Sequence, residues 1–337
     1  MDPSLARQRA ASLAWATARS WNEGRLVEAR WACEEALALQ VQAGSPSGAA
    51  SVATTLGRVL HTLGAPAEAR RHLEAALERH LADGDARLAA LTRQELAAVE
   101  LLEGRPAVAV DLLVEALRSH DERGEAAFDA RARLRLGEAC HAAGRLEEAL
   151  THLDAVRAAG EGVRDAALRA GCAAAAGHLL HESGAPSDAL RSYGLGLAVC
   201  DGAPPWHEVD LRIGVARLRA ERGLTDAAWL EATAAAELAS TVGVRLQLGV
   251  AQATLGVVAA LDGRVAEAGD ALDQAAEVLA PIGPWSGLVE VGRGHLDLAR
   301  GDREAALLRM GAVTDAALEL VAVRLALRGL RTAVSGR

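Results

Sequence analysis

A glycine returns along this chain at a nearly fixed interval, and that constrains the fold more than any other feature. Gly24, Gly64, Gly104, Gly144, Gly184, Gly223, Gly263 and Gly301 are separated by 40, 40, 40, 40, 39, 40 and 38 residues. The surroundings repeat as well: AAGRLEEAL (142–150) has near-copies in TLGAPAEAR (62–70), ESGAPSDAL (182–190) and LDGRVAEAG (261–269). A period of this length marks a solenoid, in which each unit is one supersecondary element that buries its apolar face only against its neighbours.

The offsets from each glycine give the unit. Five residues after it stands Ala every time (Ala29, Ala69, Ala109, Ala149, Ala189, Ala228, Ala268, Ala306), and nine after it usually an apolar residue such as Leu73, Leu153, Tyr193 or Leu272. Twelve after it is a small one, among them Ala36, Ala76, Ala116 and Ala235. Steps of four and three residues trace one stripe on a helix. Seven before the glycine stands Gly, Ala or Thr, Gly57, Gly137, Gly177, Gly256 and Gly294 among them. A mid-helix Gly costs about 1 kcal/mol of helix propensity, so its recurrence implies close packing of two helices. The expectation is a hairpin of antiparallel helices joined at a left-handed glycine, with the small residue facing the Ala five after the turn.

Composition agrees. Hydrophobic residues make up 51% of the 337 residues and aromatics 2%, which favours helices over sheets. There is no Lys, so P-loop, Schiff-base and kinase-type lysines are excluded. A net charge of −9 argues against nucleic-acid binding. Four scattered Cys form no metal or redox pair. No secretory signal or membrane-length apolar run is legible, so the expected location is cytoplasmic.

The Leu-Gly pairs seven or eight residues before a turn glycine (Leu56-Gly57, Leu136-Gly137, Leu255-Gly256), with a small residue five after it, resemble the tetratricopeptide repeat. The resemblance covers nearly the whole chain. The unit is about 40 residues rather than the family's 34, and the family's usual Trp, Tyr and Pro positions are mostly Ala, Leu or Arg. It implies an all-α, right-handed α-solenoid of about eight antiparallel helix-turn-helix repeats filling 1–337. The expected repeats are 4–44, 45–84, 85–124, 125–163, 164–203, 204–243, 244–283 and 284–315, closed by a C-terminal helix over 316–334.

By the same resemblance the first helix of each pair lines a concave surface, at positions six and three before each glycine. The candidate groove residues are Trp21, Arg58, His61, Glu138, His141, His178, His181, Arg217 and His295. As an open trough these suit a protein or peptide partner with an acidic segment, and His would make capture respond to pH near 6–7. Polar solvent-facing helix positions are the plainer reading. The carboxylate clamp of chaperone-binding relatives needs Lys and Asn residues absent here. The stretch HLLHE (178–182) lacks a third metal ligand, so no metal or cofactor is expected.

Six Trp stand against one Phe and one Tyr. Trp206 and Trp285 each follow Pro before a first helix and read as staples onto its first turn. The last segment, TDAALELVAVRLALRGLRTAV (314–334), is apolar on most sides. Left bare it would associate, which nominates Leu318, Val321, Leu325 and Leu330 as contacts to a partner or a second copy. The functional expectation is a non-catalytic binding scaffold. The alternative is a regulatory sensor of a signal peptide or small ligand controlling an effector, within a larger regulator or a caspase-like protease system.

Overall fold

The computed structural model describes residues 2–121, 126–160 and 165–335, which are helical with no strand. The helices pair along the chain: α1 (Pro3–Asn22) with α2 (Leu26–Gln42), α3 (Pro46–Thr62) with α4 (Pro66–Ala82), and α5 (Ala86–Leu102) with α6 (Pro106–Asp121). Then come α7 (Ala126–Ala142) with α8 (Leu146–Gly160), α9 (Ala166–Glu182) with α10 (Pro186–Leu197), and α11 (Trp206–Glu221) with α12 (Thr225–Val242). The last pairs are α13 (Arg245–Leu261) with α14 (Val265–Leu279) and α15 (Ser286–Ala299) with α16 (Arg303–Ala312), followed by α17 (Asp315–Leu318) and α18 (Val321–Ser335).

Local chemistry sets these boundaries. The eight turn glycines have φ between +71° and +83°, a region in which a side chain is strained. The residue after the glycine returns its N–H to a carbonyl one turn inside the helix, as in Arg25 to Ser20 (2.8 Å) and Ala185 to Leu180 (2.8 Å), which satisfies carbonyls that would otherwise be orphaned. Pro66, Pro106 and Pro186 begin second helices, where the missing N–H costs nothing. Asp85, Asp165 and Asp302 cap helix starts through their carboxylates.

The Ala five after each turn glycine is fully buried in all eight hairpins. The small residue seven before the turn, however, receives the side chain nine after it rather than facing that Ala alone. A Cβ on Gly256 would lie 2.6 Å from Leu272 Cγ, and one on Gly177 would overlap the Tyr193 ring. Close approach thus serves to sink a large side chain into the first helix. The last hairpin departs from this: Met310 is only half-buried, and the notch at Gly294 is filled by Leu330 of α18, 2.5 Å from where a Cβ would stand.

That corrects the expectation for the C-terminus. A break at Glu319–Leu320 splits the segment into α17 and α18, and α18 turns its apolar face onto its own chain. Leu325 is 2% exposed and Leu330 0%, with Leu318 and Val321 half-buried. Leu325 and Leu330 are therefore closing residues of this solenoid and not a free contact surface.

The superhelix also closes on itself. Beside Gly24 stand Val242 and Pro205, beside Gly64 stands Ile282, and beside Gly104 stand Pro284 and the Ala316 carbonyl. The turns of the first three hairpins therefore rest on loops five hairpins further on. Trp206 and Trp285, expected as local staples, make these contacts: Trp206 meets the Trp21 ring edge-on with centroids 4.6 Å apart, and Trp285 Nε1 donates to Leu102 O at 2.9 Å. The accessible surface, 14889 Å² for 34.9 kDa, is close to the ~13,000 Å² of a compact globule of that mass. A stretched solenoid would expose far more. Among the described residues no helix is long and apolar enough to cross a membrane.

Candidate functional site

Closure narrows the concave face into a lumen bounded by these turn-to-loop contacts. Of the residues expected on that face, none is freely exposed. Trp21, Arg58, His61, Glu138, His178 and Arg217 are half-buried, while His141, His181 and His295 are 3%, 3% and 5% exposed.

At one end the Arg58 guanidinium lies over the Trp21 ring, 5.1 Å from its centroid, a cation–π contact. His61 Nδ1 lies 2.7 Å from its own helix's Arg58 carbonyl. The middle is a mixed-charge belt. Arg135 approaches Glu95 at 3.5 Å, and His178 lies 3.7 Å from Asp210 and 5.5 Å, edge-on, from the Tyr193 ring. Glu138 lies in the same belt. Burial pushes its carboxyl up to about 7, helped by Asp210 and opposed by Arg135. A carboxyl raised in the folded state loses stability as pH climbs from its ordinary 4.5 through 7. Glu138→Gln is therefore expected to melt higher than the parent at pH 8 and level with it at pH 4, read from thermal unfolding against pH.

At the other end the histidines are engaged. His141 Nε2 meets Glu182 at 2.6 Å, and His181 Nε2 meets Glu221 at 2.9 Å, each pair joining successive hairpins. The helix α18 seals this end. Arg324 reaches the Glu182 carboxylate (2.8 Å) and the carbonyls of Ala142 (3.0 Å) and His141 (3.2 Å). Arg328 donates to the carbonyls of His181 (3.0 Å) and Glu182 (2.8 Å). Both arginines thus sit on the negative ends of α7 and α9, where a cation is favoured.

The expected pH response near 6–7 does not hold for three of the histidines. Burial lowers His61 and His178, and it lowers His295 to about 4. Each is thereby displaced toward the neutral form.

Four polar atoms in or beside the lumen are buried without a partner: Arg58 Nε, Arg217 Nη2, Tyr193 Oη and His295 Nδ1. Buried polar atoms are ordinarily paired, so these mark where the lumen can still make hydrogen bonds. Extending the repeat phase by one or two helical turns would have found Glu95 and Arg135, nine before their glycines, and Asp210, thirteen before its own. Glu182 and Glu221 recur two before theirs. Trp206, Arg324 and Arg328 had no such signal, because their partners lie 140 residues or more away in the chain. Among the described residues no cluster of His, Cys, Asp and Glu could hold a metal ion.

Residues 48–122 match the family model of the tetratricopeptide repeat. No curated protein matches the chain. Among solved structures, a Rap protein complexed with competence and sporulation factor superposes with a TM-score of 0.70 at 12% identity, covering 92% of this chain and 88% of that one. The apo form of RapI gives 0.57 at 12% identity, over 81% of this chain and 98% of that one. A signal transduction ATPase with a tetratricopeptide repeat sensor, from Pyrococcus horikoshii, gives 0.52 at 15% identity, over 91% of this chain and 49% of that one. At such identities the likeness is one of fold.

Proposed function

We propose that this chain, of which residues 48–122 match the tetratricopeptide-repeat model, acts by binding rather than by catalysis, its lumen taking a segment of a protein partner. One observation carries the reading: Arg217 Nη2 and His295 Nδ1, on residues that line one cavity, are buried without partners. The mixed charges of the belt, Glu95, Arg135, Glu138, Asp210 and Arg217, suit a segment bearing both signs better than a purely acidic one. A Rap relative in fold is complexed with competence and sporulation factor, which supports a ligand-taking lumen.

The test is affinity capture from lysate with mass spectrometry, wild type beside Arg58→Ala/Glu138→Ala/Arg217→Ala. A protein held by the wild type and lost by the variant is the expected result. Equal capture by both would place the site elsewhere, with Trp15 and Trp31, 69% and 62% exposed on the first hairpin, next in line.

A second reading is a regulatory sensor, favoured by the closure itself. The contacts Trp21–Trp206 and Trp285–Leu102 must loosen to admit a segment. A sensor then shows a larger hydrodynamic radius when loaded, whereas a rigid scaffold keeps its radius.

A further inference from the structure

The lumen's sealed end holds a cavity of about 350 Å³ between α18 and the inner faces of α11, α13 and α15. Its walls are mostly aliphatic, with Val258, Leu288 and Leu325 among them, and its polar positions include Arg217, His295 and Arg328. A dry cavity of about 150 Å³ takes benzene, so this one accommodates ~10–15 non-hydrogen atoms.

One cation on this cavity's wall lacks a direct partner. The Arg217 guanidinium makes no ion pair among the described residues, and its Nη2 is buried without a partner. Arginine does not shed its proton in proteins, and a buried cation ordinarily has a counter-charge. Asp210, beside His178, and Glu221, which lines the cavity and meets His181, favour its charge from nearby but make no ion pair with it. Arg328 brings a second guanidinium, held by the carbonyls of α9. His295 lines the same space, 5% exposed, with Nδ1 unpartnered. The hydroxyls on the walls are already committed, Thr254 to Val250 O and Thr332 to Arg328 O.

We propose that this cavity binds a small molecule with an aliphatic body and one carboxylate, the carboxylate meeting Arg217 and His295 and the body lying against Leu288 and Leu325. The inference deepens the reading of the lumen as a binding surface and rests on it. Because α18 supplies one wall and also grips the ends of α7 and α9 through Arg324 and Arg328, an occupant tightens the seal across five hairpins.

The probes are octanoate, octan-1-ol and octylamine, added to the full chain in thermal unfolding and titration calorimetry. Octanoate is expected to raise the melting temperature saturably, by about 2–4 °C at a hundredfold excess over its Kd, and the other two to do little. In Arg217→Met, octanoate should bind at least tenfold more weakly, while the free variant melts at or above the parent because an unpaired charge is gone. A purely structural Arg217 would lower that melting point instead. Ala326→Leu, which narrows the cavity and leaves Arg217 in place, is expected to block octanoate too. The inference is overturned if octanoate leaves unfolding unchanged, if it serves both substituted proteins as well as the parent, or if the alcohol and amine match it. A chain that captures a protein partner but ignores octanoate loses this inference alone, and one that binds octanoate but captures nothing loses the scaffold reading alone.

Discussion

Gly177→Ala is expected to destabilise the protein by about 2 kcal/mol, while Gly194→Ala, one helix later, stabilises it by ~0.5–1 kcal/mol. Both replace a helical glycine, so both gain helix propensity. They differ in what the new methyl meets. At Gly194 nothing lies within 4 Å. At Gly177 the methyl would overlap the Tyr193 ring, which cannot retreat, because Gly214 clasps its other side with Cε1 2.7 Å from where a Cβ would stand. Tyr193 is fully buried, so the ring has no solvent to swing into. Thermal or urea unfolding of the two variants checks the pair, and the opposite signs matter more than either size. Two stabilising results would mean that the close approach of first and second helices is not what the recurring glycine serves.

Arg324→Ala is the second large effect, with an expected cost of about 2–3 kcal/mol at pH 7. Removing one partner of a largely buried ion pair costs ~3–5 kcal/mol. Arg324 and Glu182 are 22% and 24% exposed, which places the expectation below that range. The pH dependence identifies the cause. Burial opposes ionisation of Glu182, but hydrogen bonds from His141 and Arg324 outweigh it and hold the carboxyl at about 2. A depressed carboxyl contributes stability that is complete above its ordinary value of 4.5 and lost as pH falls from there toward 2. The deficit of Arg324→Ala should therefore shrink steadily over that window in urea titrations. A deficit equally large at pH 2 and pH 7 would assign the effect to packing of the Arg324 stem rather than to its charge.

How much of this was legible in the sequence follows the range of the interactions. Contacts inside a hairpin and between neighbours are fixed by residue phase. The Ala stripe, the left-handed glycines and the inward row from Arg58 to His295 could accordingly be read off one period. Burial of His141 and His181 could have been read too, had the glutamates two before each glycine been set beside them. What was not legible depends on the pitch of the superhelix, a small rotation per hairpin summed over five of them. No local pattern encodes that sum, so the trough read as open and Trp206 and Trp285 read as local staples. The C-terminal helix misled for a related reason. Its apolar face looked unpartnered because the notch that receives Leu330, at Gly294, lies in the one hairpin whose own side chain at Met310 leaves it empty.

The superhelix closes on itself, so that its inner face forms a lumen. Small-angle X-ray scattering of the free chain tests it most directly. Closure predicts a radius of gyration near the ~20 Å of a compact chain of 337 residues, with a single-peaked distance distribution. A markedly larger radius with a long-tailed distribution would describe an open solenoid, and would contradict both the turn-to-turn contacts and the site built upon them.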